Sequence, residues 1–370
     1  MALRKALRHF ALFLNKPCVN VRLLSTYNAV VVSEFGKELT VQEQRRSKLG
    51  EDEIRVAVHN CALNSMDLLD VNGRGYDKKG IKPPFVPGFE ISGSVLELGS
   101  EVKGFKVDDR LIALNKDKLG GLAEECVVSV KDAFLIDQGM RYENCAALLD
   151  SYATAYLALN QRARLSEGQV VLVTAASGGL GLAAVDLAAN SYMCKVIGVC
   201  RTEDRSALVR EKGAWAALSF DKSHLRKKVK ELTSGAGVDL IFEAVGGEVF
   251  DAALECAAFE SKVIVAGFAS QQIPTIRTSA LLPKSVSLIG VSLTHYRWAK
   301  LDVYRSACEE VIALFRENQI SPHISAIFPI TKLNEALTYI REEKSSGKVL
   351  IDCRLSAAQA VKFPAQEQKQ

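Results

Sequence analysis

Val170 to Asn190 reads VVLVTAASGGLGLAAVDLAAN, and this stretch decides the fold. Val170 to Thr174 are aliphatic or β-branched, the composition of a strand buried on both faces. Small residues follow, with Ala176, Gly178 and Gly181 at the spacing of G-x-G-x-x-G, alanine standing for the first glycine. From Leu180 the apolar positions fall at helical spacing, so strand, tight turn and helix come in that order. Such a turn suits a pyrophosphate. Small residues let the main chain approach the phosphates, and the helix N-terminus offers unpaired N–H groups at the positive end of its dipole. A strand-to-helix turn without a ligand is the competing reading.

Downstream the pattern repeats. Lys195–Cys200, Ala216–Phe220, Val238–Phe242, Lys262–Gly267 and Ser287–Leu293 read as strands, with helices between them that include Ser206–Lys212 and Val249–Ala258. Six strands alternating with helices predict an α/β, doubly wound parallel sheet. An Ala- and Leu-rich helix, Cys145–Leu159, leads into it. Upstream the chain is β-rich, with Tyr27–Val32, Glu53–Ala62 and Glu90–Leu98 as strands and turn signals every 8–12 residues, as a small barrel-like domain requires. After the sheet, a long amphipathic helix over 301–318 returns the chain to the first domain, where Ile324–Phe328 and Lys348–Asp352 add strands. The residues from Ser356 carry no anchoring pattern and are expected to fray. The division expected is a leader over 1–26, a β-rich domain over 27–150, a dinucleotide domain over 151–300, a return over 301–355 and a tail over 356–370.

The end of the second strand of the parallel sheet bears on which dinucleotide binds. An acid there would take the ribose hydroxyls of NAD. Here the strand ends Val199-Cys200-Arg201-Thr202, with Arg205 close behind. A guanidinium pairs with a 2′-phosphate that a carboxylate would repel, which favours NADPH over NADH. Glu203 and Asp204 lie beside these arginines, and a solvated helix start is the alternative reading.

Apolar residues make up 48% of the chain and charged residues 24%, which suits a globular protein with an ample core. The formal charge of +4 comes from the first 26 residues, where Arg4, Lys5, Arg8, Lys16 and Arg22 meet no acid before Glu34. The rest is close to neutral and offers no basic tract for nucleic acid. The leader is basic and acid-free, with Leu3, Leu7, Phe10 and Leu14 on one helix face, and it reads as a mitochondrial (matrix) presequence. A cytosolic extension, and so a cytoplasmic protein, is the alternative. No run reaches the roughly 20 apolar residues of a membrane span. The nine cysteines are scattered without metal-binding spacing and read as small buried apolar residues.

The stretch Pro83-Pro84-Phe85-Val86-Pro87-Gly88-Phe89-Glu90-Ile91-Ser92-Gly93, followed by Gly99, Val102 and Asp108-Asp109-Arg110, resembles the signature of the medium-chain dehydrogenases/reductases. The TAASGGLG turn is similar to that of the quinone oxidoreductase (zeta-crystallin-like) branch. The resemblance runs from about Tyr27 to Asp352. It implies a GroES-like catalytic domain around a Rossmann domain, a nicotinamide in the cleft between them, and a homodimer.

Zinc-using relatives carry a cysteine where this chain has Asn64 and Gly-His-Glu where it has Gly88-Phe89-Glu90. Their structural lobe has four cysteines, whereas Leu111 to Gly121 contains none. Phenylalanine does not ligate a metal and an asparagine amide replaces a thiolate poorly, so no zinc is expected. The resemblance places Asn64 at the active-site asparagine, donating its amide to a carbonyl oxygen that gains charge. A helix cap ahead of Asp67 is the other reading of Asn64, and Asp67 itself reads as a local hydrogen-bond partner. Tyr76 resembles the tyrosine of the substrate loop, offset by one residue from Gly73, and packing at the cleft rim is its alternative.

For the cofactor, the resemblance implies Thr154 near the nicotinamide and phosphates, and Ser177, Gly178, Gly179, Leu180 and Gly181 around the pyrophosphate. Arg205 falls on a lysine that grips the 2′-phosphate, and Phe220 replaces a tyrosine on the adenine side. Val245, Gly246, Gly267 and Phe268 sit at the ends of strands four and five, where backbone approaches the ribose and nicotinamide. Lys348 matches a C-terminal cofactor contact, with a surface lysine as the alternative. His59, His295 and His323 have no partner spacing and read as structural. The function these features imply is hydride transfer from NADPH to a quinone or enone. The alternatives are a mitochondrial 2-enoyl thioester reductase and a non-catalytic protein that binds NADPH or RNA.

Overall fold

The computed structural model describes residues 26–74, 81–355 and 360–364. The leader up to residue 25 and Tyr76, in the segment 75–80, lie outside them. The described chain opens with an antiparallel hairpin, β1 (Thr26–Val31) on β2 (Thr40–Arg45). β3 (Glu53–Leu63) follows and is buried along almost its whole length rather than on one face. Short helix α1 (Ser65–Asp70), β4 (Glu90–Leu98), β5 (Arg110–Leu114), β6 (Glu125–Ser129) and β7 (Ala133–Leu135) complete the first part. β3 pairs antiparallel with both β4 and β6, which explains its burial: neighbours cover both edges and both faces.

The helix expected over Cys145–Leu159 is two helices, α2 (Tyr142–Ala146) and α3 (Leu149–Tyr156), the latter widening into a π-helical turn over Leu157–Ala163. The break at residues 147 and 148 opens the start of α3, so the Asp150 N–H donates 2.8 Å to the Glu90 carboxylate. An unbroken helix would have spent that group internally.

β8 (Val170–Val173), α4 (Gly179–Asp186), β9 (Lys195–Cys200), α5 (Ser206–Glu211), β10 (Ala216–Ser219), α6 (Leu225–Leu232), β11 (Val238–Glu243), α7 (Gly247–Leu254), β12 (Ala257–Val265) and β13 (Ser287–Gly290) form the doubly wound unit. All pairings are parallel and the order is β10-β9-β8-β11-β12-β13. The larger departures from the expected bounds fall at the junction before β12 and at the end of β13. Ala257 already pairs with Val238, so the helix placed over Val249–Ala258 ends at Leu254 and the strand begins five residues before Lys262. Leu293 belongs to α8 (Leu293–Ala299), whose start is capped by the Ser292 hydroxyl accepting from the His295 N–H.

Helix α9 (Leu301–Arg316) buries Tyr304, Ala307, Cys308, Val311 and Ile312 in the core shared with α3 and α4. β14 (Ile324–Pro329), α10 (Leu333–Arg341) and β15 (Lys348–Asp352) then return to the first sheet. β15 pairs with β3, giving the order β14-β15-β3-β4-β5-β7. The tail corrects another expectation. Lys362 exchanges main-chain hydrogen bonds of 2.8 and 2.9 Å with Ile327, because β14 otherwise leaves an open edge.

Each fully buried Leu, Ile or Val in these cores contributes about 1.5–3 kcal/mol over exposure. The cysteines among the described residues are all buried and unpaired, as small apolar residues would be. Among the described residues no helix is long and apolar enough to cross a membrane.

Candidate active site

A parallel sheet of this order has one switch point, between β8 and β11, where successive crossovers leave in opposite directions and open a crevice at the strands' C-terminal ends. The turn after β8 is tight. Ala175 adopts a left-handed backbone with φ +46°, and a side chain on Gly181 would collide with the Ala175 carbonyl oxygen. α4 starts at Gly179 with Gly178 as its N-cap, and no side chain bonds to the cap, which leaves N–H groups of the first turn without a side-chain acceptor there. Those features make a cradle for an anion.

Across the switch point stands a residue the sequence reading missed. Glu243 ends β11 fully buried, and its carboxylate accepts from the Thr174 hydroxyl (3.2 Å) and from the N–H groups of Val245 (2.9 Å) and Gly246 (3.1 Å). Burial raises its pKa, and the hydrogen bonds from Val245, Gly246 and Thr174 oppose that shift. An acid closing the apolar run Leu240-Ile241-Phe242 was the signal available. The neighbouring loop is tied in as well: the Ser270 N–H donates 2.9 Å to the Val245 carbonyl, fixing the backbone around Gly267 and Phe268.

The C-terminal strand joins the two halves at the turn. The Gly347 N–H donates 2.8 Å to the Ser177 carbonyl. Gly347 has φ +68°, and a side chain there would strike the His323 carbonyl. Lys348 is therefore delivered inward and is only 5% exposed, which overturns the surface-lysine alternative. Its stem lies against Gly179, with Cδ 2.9 Å from where a Cβ would stand. Its ammonium donates to the Asn64 amide oxygen and, at 2.7 Å, to Glu90 Oε2. The same Oε2 accepts from Asn64 Nδ2 at 3.1 Å, and Glu90 Oε1 takes the α3 N–H described above.

Asn64 is the N-cap of α1, the second of its two readings, and its amide lies in this buried cluster. Asp67 accepts the Asn64 N–H at 2.8 Å, the local partnership expected of it. Its other oxygen has no hydrogen-bond partner, and burial pushes the carboxyl up to about 8. Thr154 is half-buried on α3, the helix whose N-terminus meets Glu90.

Arg201 is exposed and pairs with Glu343, while Arg205 donates to the carbonyls of Glu343 and Ser345. Both arginines thus face the loop that leads into Lys348. Thr202 beside them is exposed, and half-buried Phe220 donates its N–H to the Cys200 carbonyl at 2.7 Å. Leu180, Gly178 and Gly179 are half-buried at the turn.

At the positions that hold zinc ligands in zinc-using relatives, Phe89 is packed in the core with the Lys116 ammonium 4.9 Å from its ring centroid, and Asn64 and Glu90 face Lys348. Among the described residues no group of three or more His, Cys, Asp or Glu is arranged to hold a metal ion.

Comparison with known proteins agrees with this architecture. Residues 50–138 match the alcohol dehydrogenase GroES-like domain, and residues 179–314 match the family described as zinc-binding dehydrogenase. A quinone oxidoreductase-like protein 2 homolog of Nematostella vectensis is 41% identical over 331 residues, covering 89% of this chain and 90% of the relative. Quinone oxidoreductase-like protein 2 of Mus musculus is 34% identical, covering 89% and 93%. A mycobacterial protein solved in complex with NADPH superposes with a TM-score of 0.80 at 25% identity, covering 88% of this chain and 99% of that one.

Proposed function

This chain belongs to the quinone oxidoreductase family of the medium-chain dehydrogenases/reductases, and from that premise we propose that it is an NADPH-dependent, metal-free reductase of quinones or other α,β-unsaturated carbonyls. The observation that carries the reading is the Asn64–Lys348–Glu90 cluster set directly against the glycine turn of a switch-point crevice. A bound reduced nicotinamide supplies the hydride.

The chain's own residues do the rest. N–H groups at the start of α4 hold the phosphates, and the Val245–Gly246 backbone, stiffened by Glu243, walls the other side of the crevice. Arg201 and Arg205 exchange Glu343 and main-chain carbonyls for a 2′-phosphate. Asn64 retains one amide hydrogen beyond its bond to Glu90, and this hydrogen donates to the acceptor oxygen as negative charge develops there. Solvent supplies the proton that completes reduction.

NADPH oxidation against a panel of quinones, enones and 2-enoyl thioesters tests the reading. Turnover with a quinone or enone, faster with NADPH than with NADH, is the expected result. Turnover of enoyl thioesters alone, or tight nucleotide binding with no acceptor turned over, would replace it with one of the two alternatives. Stoichiometric zinc by elemental analysis would remove the metal-free part. The basic leader carries the further proposal of mitochondrial import, tested by fusing residues 1–26 to a reporter and locating it.

A further inference from the structure

We infer that Lys348 is a positioning residue for the Asn64 amide rather than a cofactor ligand. The inference rests on the role given to Asn64 above. The two ends of a primary amide are nearly the same size, so packing alone does not decide which faces the cleft. Lys348 and Glu90 do decide it. An ammonium has only donors and meets only the oxygen, while an ionised carboxylate has only acceptors and meets only the nitrogen. All three groups are at least nine-tenths buried, and charges act strongly on a dipole in so poor a solvent.

Electron density drawn toward the amide oxygen by the cation makes the remaining Nδ2 hydrogen a better donor. The lysine is itself held firmly. Its N–H donates 2.9 Å to the His323 carbonyl, and its stem rests on Gly179 of the nucleotide turn. The pull on the amide is thereby built into the same strand that docks on Ser177.

Lys348→Met keeps the stem and removes the ammonium. The expected result is a ten- to hundredfold fall in kcat, with the NADPH Kd within twofold of wild type and no further fall when combined with Asn64→Ala. A weakened NADPH Kd with kcat unchanged, or losses that multiply with Asn64→Ala, would overturn the inference in favour of a direct cofactor contact. Should the unpaired Glu90 prevent folding, Glu90→Gln with Lys348→Met removes both charges together and is measured by the same criteria.

A spectroscopic readout does not depend on turnover. The side-chain amide protons of Asn64, assigned by their loss in Asn64→Ala, are expected to exchange slowly in wild type and faster in the charge-free double variant. Equal exchange in the two would overturn the inference. Wild type that reduces no acceptor would sink the reading of Asn64, whereas Lys348→Met working at the wild-type rate would sink this inference alone.

Discussion

Asp67 shows how strongly one buried carboxyl colours the site. Burial drives its pKa up to about 8, the Asn64 N–H opposes the shift, Asp70 and Asp150 add to it, and Lys348 works against it. Its folded pKa therefore stands above its unfolded one, so folding favours the protonated form. The stabilisation is complete below about pH 4 and is lost as pH rises through about 8, with a slope approaching about 1.4 kcal/mol per pH unit in between. Urea denaturation from pH 5 to 8 should show that decline in wild type and a flatter profile in Asp67→Asn. Identical slopes would mean that Asp67 is ionised in the folded protein. At this scale the sequence showed the Asn64 cap and its Asp67 partner but concealed Glu90 and Lys348 as the partners of the Asn64 amide. Those two are 258 residues apart, and the pairing of β15 and of β4 with β3 brings them together. No local spacing records such a register.

Among the elements, the glycine turn and β9 were the most legible, because strand, turn and helix each leave a periodic trace. Glu90–Leu98, Lys195–Cys200 and Lys348–Asp352 are strands with the expected bounds. β12 was less legible: its first residues, AAFES, lack β-branched side chains and follow a helix without a stop signal. Gly181→Ala places a methyl group against the Ala175 carbonyl, so the turn must open. A tenfold or greater loss of NADPH affinity is expected, with unfolding made easier by about 1–3 kcal/mol. Glu243→Ala strands the Val245 and Gly246 N–H groups at the crevice and should cost about 1–3 kcal/mol in denaturant titration. Replacing Arg201 and Arg205 together with alanine should raise the KM for NADPH at least tenfold and leave that for NADH nearly unchanged. Equal effects on both would assign the arginines to the 343–345 loop alone.

At the largest scale, the two main sheets share one core, in which Phe89, Ile112 and Phe134 pack with Val171 and Leu182, and Gly347, just before the last strand, docks on Ser177. The fold class was readable because the parallel sheet repeats one pattern six times. The tail and the shared packing of α9 were not, since an open strand edge and a covered helix face exist only after assembly. A nucleotide held by the proposed crevice would stabilise the folded state by mass action, so saturating NADPH should raise the melting temperature. Light scattering is expected to give twice the mass of one chain, and a single-chain mass would remove the homodimer. Titration calorimetry of the purified protein with NADPH tests most directly whether the turn after β8 holds a reduced pyridine nucleotide. Saturable heat at one nucleotide per chain, tighter than with NADH, is the predicted result; no heat with either nucleotide would contradict it.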